Sequence, residues 1–130
     1  MAKVVVDTDV LIDFTRGREY AALLLRRLPD ENRCTTVINQ MELLQGARNK
    51  PELKKLDRFI QLGFDVLPLT LQGCTMAIAL IRAHTLRDGL RVGVALVAAI
   101  ALENNAALVT GNSRHFTKIS GLRVLDPLAG

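Results

Sequence analysis

The sequence predicts an α/β fold: a mostly parallel central sheet of four to five strands, covered by helices on both faces. Three observations predict it. Short apolar runs with β character alternate along the chain with longer segments of helical apolar spacing. Nearly half the residues are apolar (49%), with few aromatics and no tryptophan, which points to an aliphatic core. The length of 130 residues suits one domain with a real core and is too short for two.

Taken in order, Val4–Val6 is a β-branched run that reads as the first strand. Thr8 or Asp9 is placed to N-cap a short helix ending near Arg16-Gly17. Tyr20 to Leu28 has helical spacing and is stopped by Pro29-Asp30. Arg33 to Val37 is a short β-like run. From Ile38 to Arg48 the apolar positions Ile38, Met41 and Leu44 are helical, with Asn39 and Glu42 among them and Gly46 as the stop. Pro51 suits the first turn of the next helix, which carries Leu53, Leu56, Phe59 and Ile60 and ends at Gly63. Phe64–Leu67 is a third strand. A long helix runs from about Gln72 to Arg87 and breaks at Asp88-Gly89. Val92–Asn104 is an alanine-rich, nearly all-apolar helix, which predicts burial on most sides. Ala107–Thr110 is a fourth strand ending in the turn Gly111-Asn112, and Leu122–Leu125 a final one before Pro127.

Composition narrows the function classes. No apolar stretch resembles a secretory or membrane-spanning segment; Ala95 to Leu102 is too short to cross a bilayer. Cys34 and Cys74 have no metal-type spacing, and two isolated thiols suit a reducing cytoplasm better than a disulfide scaffold. The net charge is +4, with local clusters at Arg16/Arg18, Arg26/Arg27, Lys54/Lys55/Arg58 and Arg82/Arg87/Arg91. That balance is compatible with a polyanion partner, although solvated helix faces account for most single positions.

The chemistry is concentrated where the first strand stops on Asp7-Thr8-Asp9. In parallel α/β sheets, ligands bind outside the carboxyl ends of the strands, where strand order reverses. The loop Thr110-Gly111-Asn112 ends another strand on the same side, and Glu42 lies on a helix that opens there just after the second strand. A few oxygens brought together in this way suit Mg²⁺ or Mn²⁺, hard cations that keep several waters and need few carboxylates. Each acid also has a plainer role: Asp9 as helix cap, Asp13 as a solvated helix residue, Glu42 as a surface glutamate.

The ordered set of segments resembles the PIN-domain family, in particular the small VapC-like toxins of bacterial and archaeal toxin–antitoxin pairs. It is carried by Val6-Asp7-Thr8-Asp9-Val10-Leu11-Ile12-Asp13 and by Thr36-Val37-Ile38-Asn39-Gln40-Met41-Glu42-Leu43-Leu44-Gln45-Gly46. Further along it is carried by Ala95–Ala101, Ala107-Leu108-Val109-Thr110-Gly111-Asn112, and Arg114-His115-Phe116 leading to Ile119–Leu122 and Pro127. The resemblance implies a single PIN domain over residues 1–130, a three-layer α/β/α arrangement. It implies a metal-dependent endoribonuclease acting on transfer or ribosomal RNA. Asp7 and Glu42 would be the catalytic metal ligands, with Asp9, Thr8, Thr110 and Asn112 orienting ligands or substrate. It also implies a cognate VapB-like antitoxin whose C-terminal arm crosses the acidic groove, a homodimer, and a cytoplasmic location without a membrane.

One departure matters. In the family, the alanine-rich helix usually begins with an aspartate where this chain has Val94, and valine cannot ligate a cation. Asp88 is six residues earlier, beyond Gly89, and is a poor substitute. The chain is then a disabled variant, a natural homologue that kept only its partner binding, or a weakly active enzyme using Asp7, Glu42 and waters. More mildly, neither Asn112 nor His115 supplies the further acid that some relatives carry; the Asn112 amide can still hold a water or phosphate oxygen, and His115 is either an RNA contact or a packed loop residue. The rival resemblance is a haloacid-dehalogenase-like phosphohydrolase, which shares the strand followed by Asp-x-Asp. The twenty residues after Thr110, with Lys118 alone, leave no room for its remaining motifs.

Overall fold

The computed structural model describes residues 3–128. Its five strands are β1 (Val4–Val6), β2 (Arg33–Thr36), β3 (Asp65–Leu67), β4 (Ala107–Val109) and β5 (Val124–Leu125). They form one sheet in the order β3-β2-β1-β4-β5, and every ladder is parallel. The chain leaves β1 toward β2 and β3, then returns to the other side of β1 with β4. Strand order therefore reverses between β1 and β4, and the crevice of such a sheet opens at that point.

The helices are α1 (Thr8–Thr15), α2 (Glu19–Arg27), α3 (Val37–Gln45), α4 (Lys50–Gly63), α5 (Leu71–Asp88) and α6 (Val92–Glu103). Side chains alternate across a strand, so β1 feeds two cores. Val4 and Val6 join Val10, Leu11, Leu25, Leu43 and Ile60 from α1 to α4 on one face. Val5 joins Val97, Ala98, Ile100, Ala101 and Leu108 on the other, where α6 lies on the sheet. The long helix α5 packs outside α6 through Ala77, Ala95 and Ala99, small side chains that let the two helices approach closely. Burial of Ala95 and of Val97 to Ala101 confirms the expectation for the alanine-rich helix.

The core is mainly aliphatic as expected, apart from buried Phe116 on the α6 side and a partly buried aromatic group on the other. Phe14 of α1 stacks on Phe59 of α4 at 5.1 Å, and Phe59 meets Phe64 edge-on at 5.3 Å. Helix ends follow the sequence signals: Gly46 caps α3, Pro51 sits in the first turn of α4, and Gly89 ends α5 in the left-handed region (φ 63°). The expected stripe on α3 is shifted, because Met41 is 54% exposed while Leu43 is buried. Both cysteines are free thiols, Cys34 of β2 being buried. No helix among the described residues is long and apolar enough to cross a membrane.

Candidate active site

The β1 ladders place three polar residues in a row. Val6 pairs with Val109 of β4, so Asp7 falls beside Thr110; Val5 pairs with Cys34 of β2, so Asp7 also falls beside Thr36. Continuity of the sheet past Asp7 is kept by its backbone N–H, which donates to the Val109 carbonyl at 3.0 Å. Register, rather than a loop conformation, therefore fixes the centre of the site.

Asp7 also caps α1, and the expectation of Thr8 or Asp9 as the cap is corrected. Asp7 has extended backbone angles and its Oδ1 accepts the Thr8 N–H at 2.9 Å. The strand stops on this acid with no intervening loop, so the helix begins one residue earlier than the spacing suggested. A carboxylate at a helix N-terminus is favoured by the unpaired N–H groups there. Asp9 instead lies in the first turn, and its Oδ2 accepts the Gly111 N–H at 2.8 Å, tying α1 to the loop after β4. Asp13 is likewise not simply solvated: the Tyr20 hydroxyl donates to its Oδ2.

Asp7 is almost enclosed, at 9% exposure, and both its oxygens are occupied. Oδ1 takes a second hydrogen bond from Asn39 Nδ2 at 2.8 Å, and Oδ2 takes one from Thr110 Oγ1 at 2.7 Å. Thr110 Oγ1 in turn accepts the Asn112 N–H at 3.0 Å. Burial nevertheless pushes the Asp7 carboxyl above its ordinary range, and the Glu42 charge adds to that; the three hydrogen bonds pull the other way without prevailing. Asp9 is raised too, first by burial and next by the charge of Asp7.

Glu42 projects from α3 toward the same place. Its Oε1 accepts the Thr8 hydroxyl at 2.7 Å, and Thr8 Oγ1 accepts from Asn39 Nδ2 at 2.9 Å. A methyl placed on Gly93 would stand 3.7 Å from Glu42 Oε2, so the start of α6 closes on this carboxylate. Asp7, Thr8, Asp9, Glu42, Val94 and Asn112 line one groove of about 580 Å³. The sequence-expected residues thus meet, with Thr110 behind Asp7. Val94 borders the groove and packs its inner side on the core. Asp88 stands elsewhere, held by His84 and Lys118.

Asn39 is the participant to which sequence reasoning gave no role. It is fully buried, and its Oδ1 accepts from Thr36 N (3.2 Å) and Thr36 Oγ1 (2.7 Å) while Thr36 Oγ1 accepts the Asn39 N–H at 3.1 Å. This reciprocal cap on α3 aims the Asn39 amide at Asp7. The signal was present as Thr36-x-x-Asn39, a variant of the Ser/Thr-x-x-Glu/Gln capping pattern.

The profile of the PIN domain matches residues 4–122. The chain belongs to the PIN-domain family. Within this family of nucleases it is VapC-like, being 31% identical to the tRNA(fMet)-specific endonuclease VapC of Shigella flexneri, over 97% of this chain and 98% of that protein. Among solved structures, the DNA-bound VapBC of Salmonella typhimurium superposes with a TM-score of 0.81 at 28% identity, covering 98% of this chain and 99% of that one. A toxin–antitoxin complex from Klebsiella pneumoniae gives a TM-score of 0.80 at 25% identity, covering 97% and 98%. The PIN match, which spans β1 to β4, removes the phosphohydrolase alternative.

PIN nucleases generally depend on divalent metals, and the donor set here fits a hard cation. Asp7 and Glu42 are carboxylates bridged by Thr8, whose N–H donates to Asp7 and whose hydroxyl donates to Glu42, and Asp9 Oδ1 is a buried oxygen with no hydrogen-bond partner among the described residues. Burial raises Asp7 and Asp9, a cost that a nearby positive charge offsets. Among the described residues no three acids, histidines or cysteines come together as a metal-binding group.

Proposed function

We propose that this chain, a single PIN domain over residues 1–130, is a metal-dependent endoribonuclease toxin of the VapC type. It hydrolyses phosphodiester bonds of transfer or ribosomal RNA and is neutralised by a cognate VapB-like antitoxin. The observation that carries the reading is the Asp7 carboxylate, buried at the sheet's switch point, fixed by Thr8, Asn39 and Thr110, and facing Glu42. Asp7 and Glu42 would hold Mg²⁺ or Mn²⁺. When bound, such a cation makes a hydroxide-like nucleophile of water and offsets charge growing on the phosphate.

The protein's own groups orient and exclude. Thr8 holds Glu42, while Asn39 and Thr110 keep Asp7 in one rotamer. Asp9 pins the Gly111 loop, which leaves the Asn112 amide at the groove for a phosphate oxygen. A homodimer in the cytoplasm, where free thiols persist, completes the reading.

Val94 favours a second reading. It presents an isopropyl group where relatives carry a ligand, so catalysis is reduced, and in the limit the chain is an inactive PIN domain acting through antitoxin or RNA binding. Cleavage of a broad RNA panel, with Mg²⁺ or Mn²⁺ and with chelator, separates the two. Metal-dependent cleavage that is lost in Asp7→Asn and Glu42→Gln supports the enzyme; binding of antitoxin or RNA with no cleavage supports the second reading.

A further inference from the structure

Beside the acidic groove lies a second cleft of about 550 Å³, of opposite charge. It is formed by the end of α5, the Gly89 link, the start of α6 and the short 3-10 turn Ser113–His115. Its basic groups are Arg87, Arg91, Arg114 and Lys118, with His84 and His115, against one acid, Asp88. Arg91, Val94 and His115 line both hollows, so the two are continuous across the first turn of α6.

The charges in this cleft are of two kinds. Asp88 is spoken for: His84 Nδ1 lies 2.8 Å from its Oδ2 and Lys118 Nζ 3.1 Å from its Oδ1, which ties α5 to the loop after β4. Arg87, Arg91 and Arg114 are exposed and have neither ion pair nor hydrogen-bond partner among the described residues. Three unpaired guanidinium groups around one hollow repel one another unless an anion lies between them. Their planar forks match phosphate oxygens. The adjoining groove, lined by Asp7, Asp9 and Glu42, repels the same anion unless a cation is present. A ligand that suits both hollows is a chain of repeated phosphates, one gripped by arginines and the next presented to the carboxylates.

We infer that this basic cleft holds the phosphate backbone of the RNA strand directly beside the bond presented to Asp7 and Glu42. The inference rests on the nuclease reading and adds the path of the substrate. An acidic protein segment would satisfy the arginines alone, but it does not call for the continuity with the carboxylate groove.

The test measures binding of a labelled, mixed-sequence single-stranded RNA in chelator, so that it stays intact, across a salt series. Three proteins are compared: the unmodified chain, Arg87→Gln/Arg91→Gln/Arg114→Gln, and Arg26→Gln/Arg27→Gln/Arg58→Gln. The last removes the same charge from exposed positions of α2 and α4. All six arginines are exposed and unpaired among the described residues, so thermal melts should coincide. The cleft variant should bind about ten- to a hundred-fold more weakly near ~0.1 M salt, with a log–log salt slope shallower by about 2, three contacts at ~0.7 each. The α2/α4 variant should keep the slope of the unmodified chain. Equal losses in both variants would reduce the effect to net charge and overturn the cleft. Unchanged binding in the cleft variant would also overturn it while leaving the nuclease reading intact. RNA bound by none of the three overturns the cleft and leaves the nuclease reading to the cleavage assay, and a polyglutamate peptide bound in its place assigns the arginines to a protein partner.

Discussion

Replacing Asn39 with alanine is the perturbation that best separates a positioned carboxylate from a merely adjacent one. Asn39 is fully buried and makes four side-chain hydrogen bonds: to Asp7 Oδ1 (2.8 Å), to Thr8 Oγ1 (2.9 Å), and from Thr36 N and Thr36 Oγ1 (3.2 and 2.7 Å). The bond to the Asp7 carboxylate is charge-assisted, about 1.5–3 kcal/mol, and each of the others contributes about 1 kcal/mol. They share one network and are not additive, so Asn39→Ala should cost about 3–5 kcal/mol. That is a large share of the ~5–15 kcal/mol of a typical domain. Urea unfolding should show a lower midpoint at unchanged m-value. The variant has a second signature that destabilisation alone does not produce. The Asn39 hydrogen bond holds the Asp7 carboxyl down, so its loss pushes that group further up. The acid limb of any metal-dependent activity should then move to higher pH. A loss below about 1 kcal/mol, with the acid limb unmoved, would refute the reasoning, since it would mean that water replaces the amide without penalty.

Other consequences follow from the same site. Asp7→Asn should raise the stability of the metal-free protein, because burial raises the Asp7 carboxyl and an amide avoids that cost. For an acid raised in the folded state, stability is lost as pH rises from its ordinary value of 3.8 to its folded value, and is level above that. Thermal melts of variant and unmodified protein should therefore nearly coincide at about pH 4 and separate toward about pH 7; a gap that is constant or reversed contradicts this. Gly111→Ala would place its methyl carbon 2.5 Å from Asp9 Oδ2, so the carboxylate must rotate away and give up the Gly111 N–H. The partly exposed bond makes this a loss of about 1 kcal/mol by thermal melt, and an unchanged melting temperature would show that Asp9 does not hold the loop.

Local signals carried most of the fold. The β-branched run ending on Asp7, the glycines at helix ends, and the alanine-rich helix each reflect steric or burial preferences of neighbouring residues, and each element lies within a few residues of its expected place. Misreadings occurred where distant residues decide. Asp9 has the chemistry of a cap, but it is drawn to Gly111, 102 residues away, while Asp7 takes the helix end. Met41 fits a helical stripe by spacing, yet α3 turns Leu43 inward instead, because it feeds two cores, Ile38 to one and Leu43 to the other. Asn39 was hidden because its value lies in the β1–β2 register, which no local periodicity encodes. The basic cleft joins α5, α6 and the loop after β4, so its arginines read as separate surface charges until the chain is folded.

The central claim is that Asp7 and Glu42 form a cation-bearing, RNA-cleaving groove weakened at Val94. It is tested most directly by assaying Mg²⁺- and Mn²⁺-dependent RNA cleavage by this chain and by Val94→Asp, each with and without chelator. Val94 lines the same groove as Asp7 and Glu42, so a carboxylate added there joins the existing acids. The account predicts chelator-sensitive cleavage that rises sharply in Val94→Asp over the unmodified chain. No cleavage by either protein, across a broad RNA panel and with both metals, would contradict it.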